Sequence, residues 1–230
     1  MKAAFGVYAN MRRSSVVFLL VPFLAAAQQS ANQSKPIKHY ENGAIGMPDE
    51  RAADSYAIYS MLTPGPELEH MPPGHTQTWA IADTTISTSD RSPAIPPEGQ
   101  LKPPPRPNRK KAFEEAVADF EANQHLRIHL TRDGFHLDHA FNLLTAEQVQ
   151  QLRDAKSSPA ASSSQAEWSG YPGVTFFSEV YFDTHHSIAL VYRSEWCAHL
   201  CSAGSWIYLE RSPGNPTHWV QQSGIVVPGA

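Results

Sequence analysis

The sequence predicts an α+β fold: a C-terminal antiparallel β-meander packed against one or two helices, preceded by a Pro-rich linker and an N-terminal signal peptide. Three observations predict it. Residues 176–220 hold four alternating apolar runs with short connections, the mark of sequential antiparallel strands. Phe113, Ala116, Val117 and Phe120 repeat at helical spacing, with Glu114, Glu115, Asp119 and Glu121 on the other side. Residues 1–27 carry positive charge, then an apolar run, then small residues.

That first segment sets the compartment. Lys2, Arg12 and Arg13 precede Val16–Leu24, and Ala25-Ala26-Ala27 supplies an A-x-A cleavage pattern before polar Gln28. The apolar run is shorter than the roughly 20 residues a bilayer requires. Met11, next to Arg12, offers a second start with a more compact signal. No cysteine follows the cleavage region, which argues against a lipoprotein anchor. Export to the periplasm or medium is therefore expected. The signal holds three basic and no acidic residues, so 18 Lys+Arg against 22 Asp+Glu become 15 against 22 in the mature chain, a formal charge of −7. An acidic exported chain excludes nucleic acid as the expected partner, since phosphate contacts need a basic face. No second apolar run is long enough for a membrane span, which leaves an envelope or extracellular partner or ligand, unidentified by the sequence.

About 200 mature residues suit one domain. The expected organisation is an irregular arm at 28–52, one α+β domain over 53–222 with a Pro-rich insertion at 91–109, and a tail at 223–230. A helix is expected over 53–62, capped by Asp54 and stopped by Thr63-Pro64-Gly65-Pro66. Trp79–Ser87 reads as a strand. The prolines of 91–109 fix φ and remove donors, giving an extended linker. Lys110–Gln124 is the clearest helix, its apolar stripe facing the core. Residues 126–137 alternate like a hairpin around Asp133-Gly134. Thr145–Lys156 is a helix opened by a Thr145/Gln148 capping box. Strands follow at 176–182, 188–193, 205–210 and around Trp219, and the 110–124 helix is the expected cover for their apolar face.

Several landmarks together resemble a group of uncharacterised exported bacterial proteins. They are Tyr171-Pro172-Gly173, Phe177-Ser178-Glu179-Val180-Tyr181-Phe182, Ala189-Leu190-Val191-Tyr192, the Cys197–Ser202 turn and Tyr208-Leu209-Glu210. Tyr56–Ser60, Ile81–Thr85 and Phe113–Asn123 look like the earlier landmarks of the same group. Ala198 and Ser202 stand where that group carries glycines. The resemblance implies a shape and a compartment, and no reaction.

Candidate chemistry is sparse. Cys197 and Cys201 are the only cysteines, and in an oxidising compartment such a pair forms a disulfide, here across a strand-to-strand connection. The alternative is a copper or zinc site from Cys197, His199 and Cys201 with His185 and His186. Among eleven histidines, His125/His129 and His136/His139 are close in sequence, but in extended segments a three-residue spacing puts rings on opposite faces. A hydrolase would draw on Ser178 or Ser205 with a histidine and Asp183, without a G-x-S-x-G elbow. No phosphate loop or dinucleotide fingerprint occurs, so no cofactor is expected. Glu179 and Glu210 could pair as acid and base, although strand carboxylates more commonly face solvent. The expectation is a non-enzymatic binding module acting through the Cys turn and adjacent strand ends, with metal-binding protein and hydrolase as alternatives.

Overall fold

Strands with apolar residues at both alternating positions must bury both faces of their sheet. Here Ile188, Leu190 and Tyr192 alternate with Ala189 and Val191, and Trp206 and Tyr208 with Ile207 and Leu209, and all are buried. The computed structural model describes residues 36–64, 78–91, 93, 95, 101, 106–157, 168–197, 202–215 and 217–222. The signal segment, most of the Pro-rich stretch, His199, Cys201 and the tail lie outside them.

The main sheet runs β4 (Phe141–Leu144), β2 (Trp79–Ala82), β5 (Val174–Phe177), β7 (Ile188–Trp196), β8 (Ser202–Arg211), β9 (Trp219–Gln221), with β6 (Tyr181–Phe182) also on β7. Strands β4, β2 and β5 are parallel, and the remaining pairs are antiparallel. The β7-β8-β9 meander and the α+β class are those expected from sequence. Helices α2 (Lys110–Asn123) and α3 (Ala146–Ser157) cover one face, burying Phe113, Ala116, Phe120, Val149, Leu152 and Ala155 against Phe176, Leu190 and Trp206. Helix α1 (Asp49–Leu62) covers the other, with Ile58, Tyr59 and Leu62 packed near Phe177, Val191 and Ile207. Sequence reasoning assigned the cover to α2, and the second cover follows from the apolar residues on the other side of β7 and β8. The Thr145/Gln148 capping box forms at the start of α3, at 3.3 and 3.0 Å.

Other expectations need correction. The arm at 28–52 is not irregular throughout: β1 (Ile45–Gly46) pairs in parallel with β3 (Ile128–His129), and α1 already starts at Asp49. Asp54 therefore sits inside α1 and caps nothing. No hairpin turns at Asp133-Gly134; Arg132–Gly134 is a 3-10 turn, and β4 lies beyond it. Gly134 is there because the Tyr56 ring lies where its Cβ would be, 2.4 Å away, and not to supply a positive φ. Within the predicted 79–87 strand only Trp79–Ala82 is regular, with single bridges at Thr84 and Ile86. The predicted strand 176–182 is two strands. Register against β7 shifts by one residue between Phe177↔Arg193 and Tyr181↔Leu190, so one extra residue bulges out over 178–180.

Candidate functional site

The bulge turns Glu179 away from solvent. Ser178, fully buried, repairs the broken ladder: its N–H donates to Tyr192 O at 2.8 Å, and its Oγ accepts the Tyr192 N–H at 2.9 Å. The same Oγ donates to Glu179 O at 2.7 Å, and Tyr59 donates to Ser178 O at 2.9 Å. This serine is occupied by backbone repair and is shielded from any substrate. Glu179 is buried and meets Arg51 of α1 at 2.8 Å. Burial first, and the neighbouring Asp119 charge second, push its carboxyl up to about 7 against the pull of Arg51. Its Oε2 has no hydrogen bond among the described residues.

Arg51 also pairs with Asp119 of α2 and donates to Val180 O at 3.0 Å. Asp119 accepts the Phe182 N–H at 2.9 Å, and Glu115, one turn earlier, accepts the Thr184 N–H at 3.2 Å. Carboxylates four apart on a helix and amides two apart on an extended chain share a spacing of about 6–7 Å. Helices α1 and α2 thus supply, from opposite faces of the sheet, the hydrogen bonds that a further strand would give β6. This clasp covers an edge that would otherwise invite pairing with another chain.

Glu210, the other carboxylate considered from sequence, is buried elsewhere. It accepts from Tyr208 at 2.9 Å and faces Arg106 and Arg109 at 3.4 Å. Glu179 and Glu210 therefore do not face solvent; Glu179 faces Arg51 and Glu210 faces Arg106 and Arg109, with no acid–base partnership between the two carboxylates. Asp183 builds the β6–β7 turn by accepting from Ser187 N, Ser187 Oγ and Ile188 N at 2.6–2.8 Å. His186, at φ 50°, stacks on Phe182 and bonds Asp54 at 2.8 Å, while Arg211 reaches the same carboxylate.

Of the metal alternative's residues, His199 and Cys201 lie outside the described residues, and only Cys197, His185 and His186 are placed. His185 and His186 precede β7, and Cys197 follows it. Eight residue steps at about 3.3 Å put these positions about 25 Å apart. Physically, the extended β7 separates them, and no group of three or more metal-ligating side chains exists among the described residues. His129 stacks on Tyr40, and His139 packs against Trp79. Ser205 makes no hydrogen bond to a histidine among the described residues.

What sequence reasoning missed is a cleft of about 180 Å³ where β2, β4 and β5 end. Ligands of α/β sheets favour the C-terminal ends of parallel strands. Ala82–Ile86 form one wall, Phe176 the floor, and the Ala146/Val149/Gln150/Arg153 face of α3 the other wall. On the rim Arg127 is neutralised by Asp90, which is itself held by Ser87 N and Oγ. Among the described residues the Asp83 carboxylate accepts only from the neighbouring Thr84 hydroxyl, at 2.9 Å, and its backbone carbonyl accepts the Leu130 N–H at 2.7 Å. Arg153 lies over the Phe176 and Trp196 rings at 5.3 and 5.6 Å, its Nε buried and without a hydrogen bond among the described residues. Partial burial lowers its pKa from the ordinary arginine value. A sequence signal existed only in outline: Arg153 sits next to the Val149/Leu152 stripe, and nothing in the spacing reveals that no carboxylate among the described residues reaches it.

No protein-family model, curated protein or solved structure matches the chain. The resemblance over residues 171–210 accordingly stands on its sequence pattern alone. Among the described residues no helix is long and apolar enough to cross a membrane.

Proposed function

We propose that this is an exported, non-enzymatic binding module of the envelope or extracellular space, and that its ligand sits in the cleft between β2 and α3. The carrying observation is Arg153: a partly buried guanidinium that lines a cleft and has no carboxylate partner among the described residues. An arginine in that condition has hydrogen-bonding capacity to offer a ligand at little cost to the fold. The cleft is a better seat than the turn at 197–201, because it gathers a guanidinium with no carboxylate partner among the described residues and apolar walls in one place. The hydrolase reading is weakened by the roles of Ser178 and Asp183, both committed to the backbone.

The disulfide Cys197–Cys201 belongs to the same proposal. Its support is register: Trp196 pairs with Ser202, and Cys197 and Cys201 are the sequence neighbours of that pair inside the connection. Opposed positions lie about 4.5–5.5 Å apart, within disulfide reach.

Protein recovered from the periplasm or medium tests these points together. Sequencing should find cleavage after Ala27, and the intact chain should be about 2 Da lighter than the dithiol and resist alkylation. Native mass spectrometry should find a small molecule that is absent from Arg153→Met. An uncleaved cytoplasmic product would end the export reading. Stoichiometric zinc or copper lost on Cys201→Ser would put a metal site in place of the disulfide, and a serine-reactive phosphonate adduct would put a hydrolase in place of a binding module.

A further inference from the structure

One face of α3 lines the cleft. Ala146, Val149, Gln150 and Arg153 fall at i, i+3, i+4 and i+7, a single helical stripe with Arg153 at its end. The rings beneath the guanidinium locate it: Phe176, which floors the cleft, at 5.3 Å, and Trp196 at 5.6 Å. Among the described residues it makes no ion pair, and its buried Nε makes no hydrogen bond. The other cation of the lining, Arg127, is paired with Asp90 at the rim. The cleft therefore offers a ligand one positive charge. A dianion would find one counter-charge too few and would meet Asp90 as a like charge, and an amine would meet Arg153 as one. A monoanion matches. Gln150 is bonded to Asp154 at 2.8 Å, so Arg153 is the polar group that α3 leaves for a ligand. The remaining surface sets the body of that ligand. Ala82, Ile86, Val149 and Phe176 are buried apolar residues. A cavity of about 180 Å³ holds about six water-sized groups, the size of a four-carbon acid.

We propose that the cleft binds a short-chain aliphatic monocarboxylate, its carboxylate on Arg153 and its hydrocarbon against Ile86, Val149 and Phe176. This rests on the reading of the cleft as a ligand site and narrows it to one ligand chemistry. The planar guanidinium is suited to a bidentate grip on a carboxylate. The rings beneath it restrict its orientation, so less entropy is lost on binding. Folding has already removed part of its water, so less remains to be stripped when the ligand arrives.

The test is calorimetry or ligand-observed NMR on the protein as recovered from its host, with isobutyrate, isobutyramide, isobutylamine and inorganic phosphate as separate probes. Isobutyrate should bind. Isobutyramide has the same shape without the charge and should bind at least about tenfold more weakly, and isobutylamine and phosphate more weakly still. Arg153→Met should weaken isobutyrate at least about tenfold, and Arg153→Lys should restore part of the loss. Circular dichroism melts of both variants establish that they are folded before binding is scored. Undiminished isobutyrate binding to folded Arg153→Met, or equal binding of isobutyrate and isobutyramide, would overturn the assignment. Arg153-dependent binding of phosphate in preference to isobutyrate would overturn the monocarboxylate while leaving the cleft a binding site. Silence from every probe would overturn the inference. The wider reading of the cleft would then stand on the native mass spectrum alone, and would fall with it if no molecule lost on Arg153→Met is found.

Discussion

Arg51 and Arg153 are both helix arginines drawn partly out of water, and their surroundings are opposite. Arg51 reaches two carboxylates and a backbone carbonyl at the β6 edge. Arg153 reaches two aromatic faces and no carboxylate among the described residues. The first holds three elements together, so its removal strands charges that the fold has already desolvated. The second strands no carboxylate among the described residues, since it lies over two rings and faces none. Burial of a charge is thus a poor guide to its role until its partners have been counted.

The contrast breaks most sharply on substitution. Arg51→Ala should cost about 3–5 kcal/mol at pH 7.5, since Asp119 and Glu179 lose their counter-charge. Arg153→Met should stay within about 1 kcal/mol of the parent. Urea unfolding of both variants measures this, and equal costs would erase the distinction between the two arginines.

A pH series sharpens the same point. Glu179 is raised from an ordinary 4.5 to about 7 in the fold, so between these values the native state binds the proton more tightly. Its contribution is fully present below about pH 4.5 and is lost as pH rises through 7, on the order of 3 kcal/mol in all. Glu179→Gln should remove that slope, which is read as the difference between the two stability profiles over pH 5–8. The Arg51→Ala penalty should also shrink at pH 5, where Glu179 is already protonated. A difference profile that stays flat would place the Glu179 carboxyl in an ordinary environment.

The smallest expected effect is at the cleft's rim. Thr145→Ala removes one half of the capping box of α3 and should cost about 1 kcal/mol in thermal or urea unfolding, without altering the charges of the cleft. A cost several times larger would mean that α3 is anchored through its first turn more than through Val149 and Leu152.

Legibility in the sequence followed the range of the interactions. The α2 stripe, the α3 capping box and the β7–β8 and β8–β9 hairpins depend on neighbours within one element or one turn, and their residue types announce them. Strand β4 does not announce itself, because Phe141-Asn142-Leu143-Leu144 lacks alternation and its partner β2 lies sixty residues upstream in a parallel pairing. Asp54 suggested a cap by type and position, but its partners His186 and Arg211 come from the far end of the chain. Glu179 reads as an outward strand residue unless the bulge at Ser178 is known, and a one-residue register shift has no local mark. The cleft was hidden for the same reason: Asp83, Phe176 and Arg153 belong to three separate elements.

The sequence distances across α1 carry a consequence for how the chain acquires its structure. Tyr59 donates to a carbonyl 119 residues downstream, and Asp54 accepts from Arg211, 157 residues downstream. A 14-residue helix is marginal by itself in water. As the chain is made from its N-terminus, α1 can meet Ile81, Leu130 and Phe135 early, but β7 and β8, which complete the sheet face it covers, come near the end. Such distant closures slow folding. A slow-folding polypeptide stays threadable for longer; under the export proposed above, assembly of the α1 layer would be completed on the far side of the membrane.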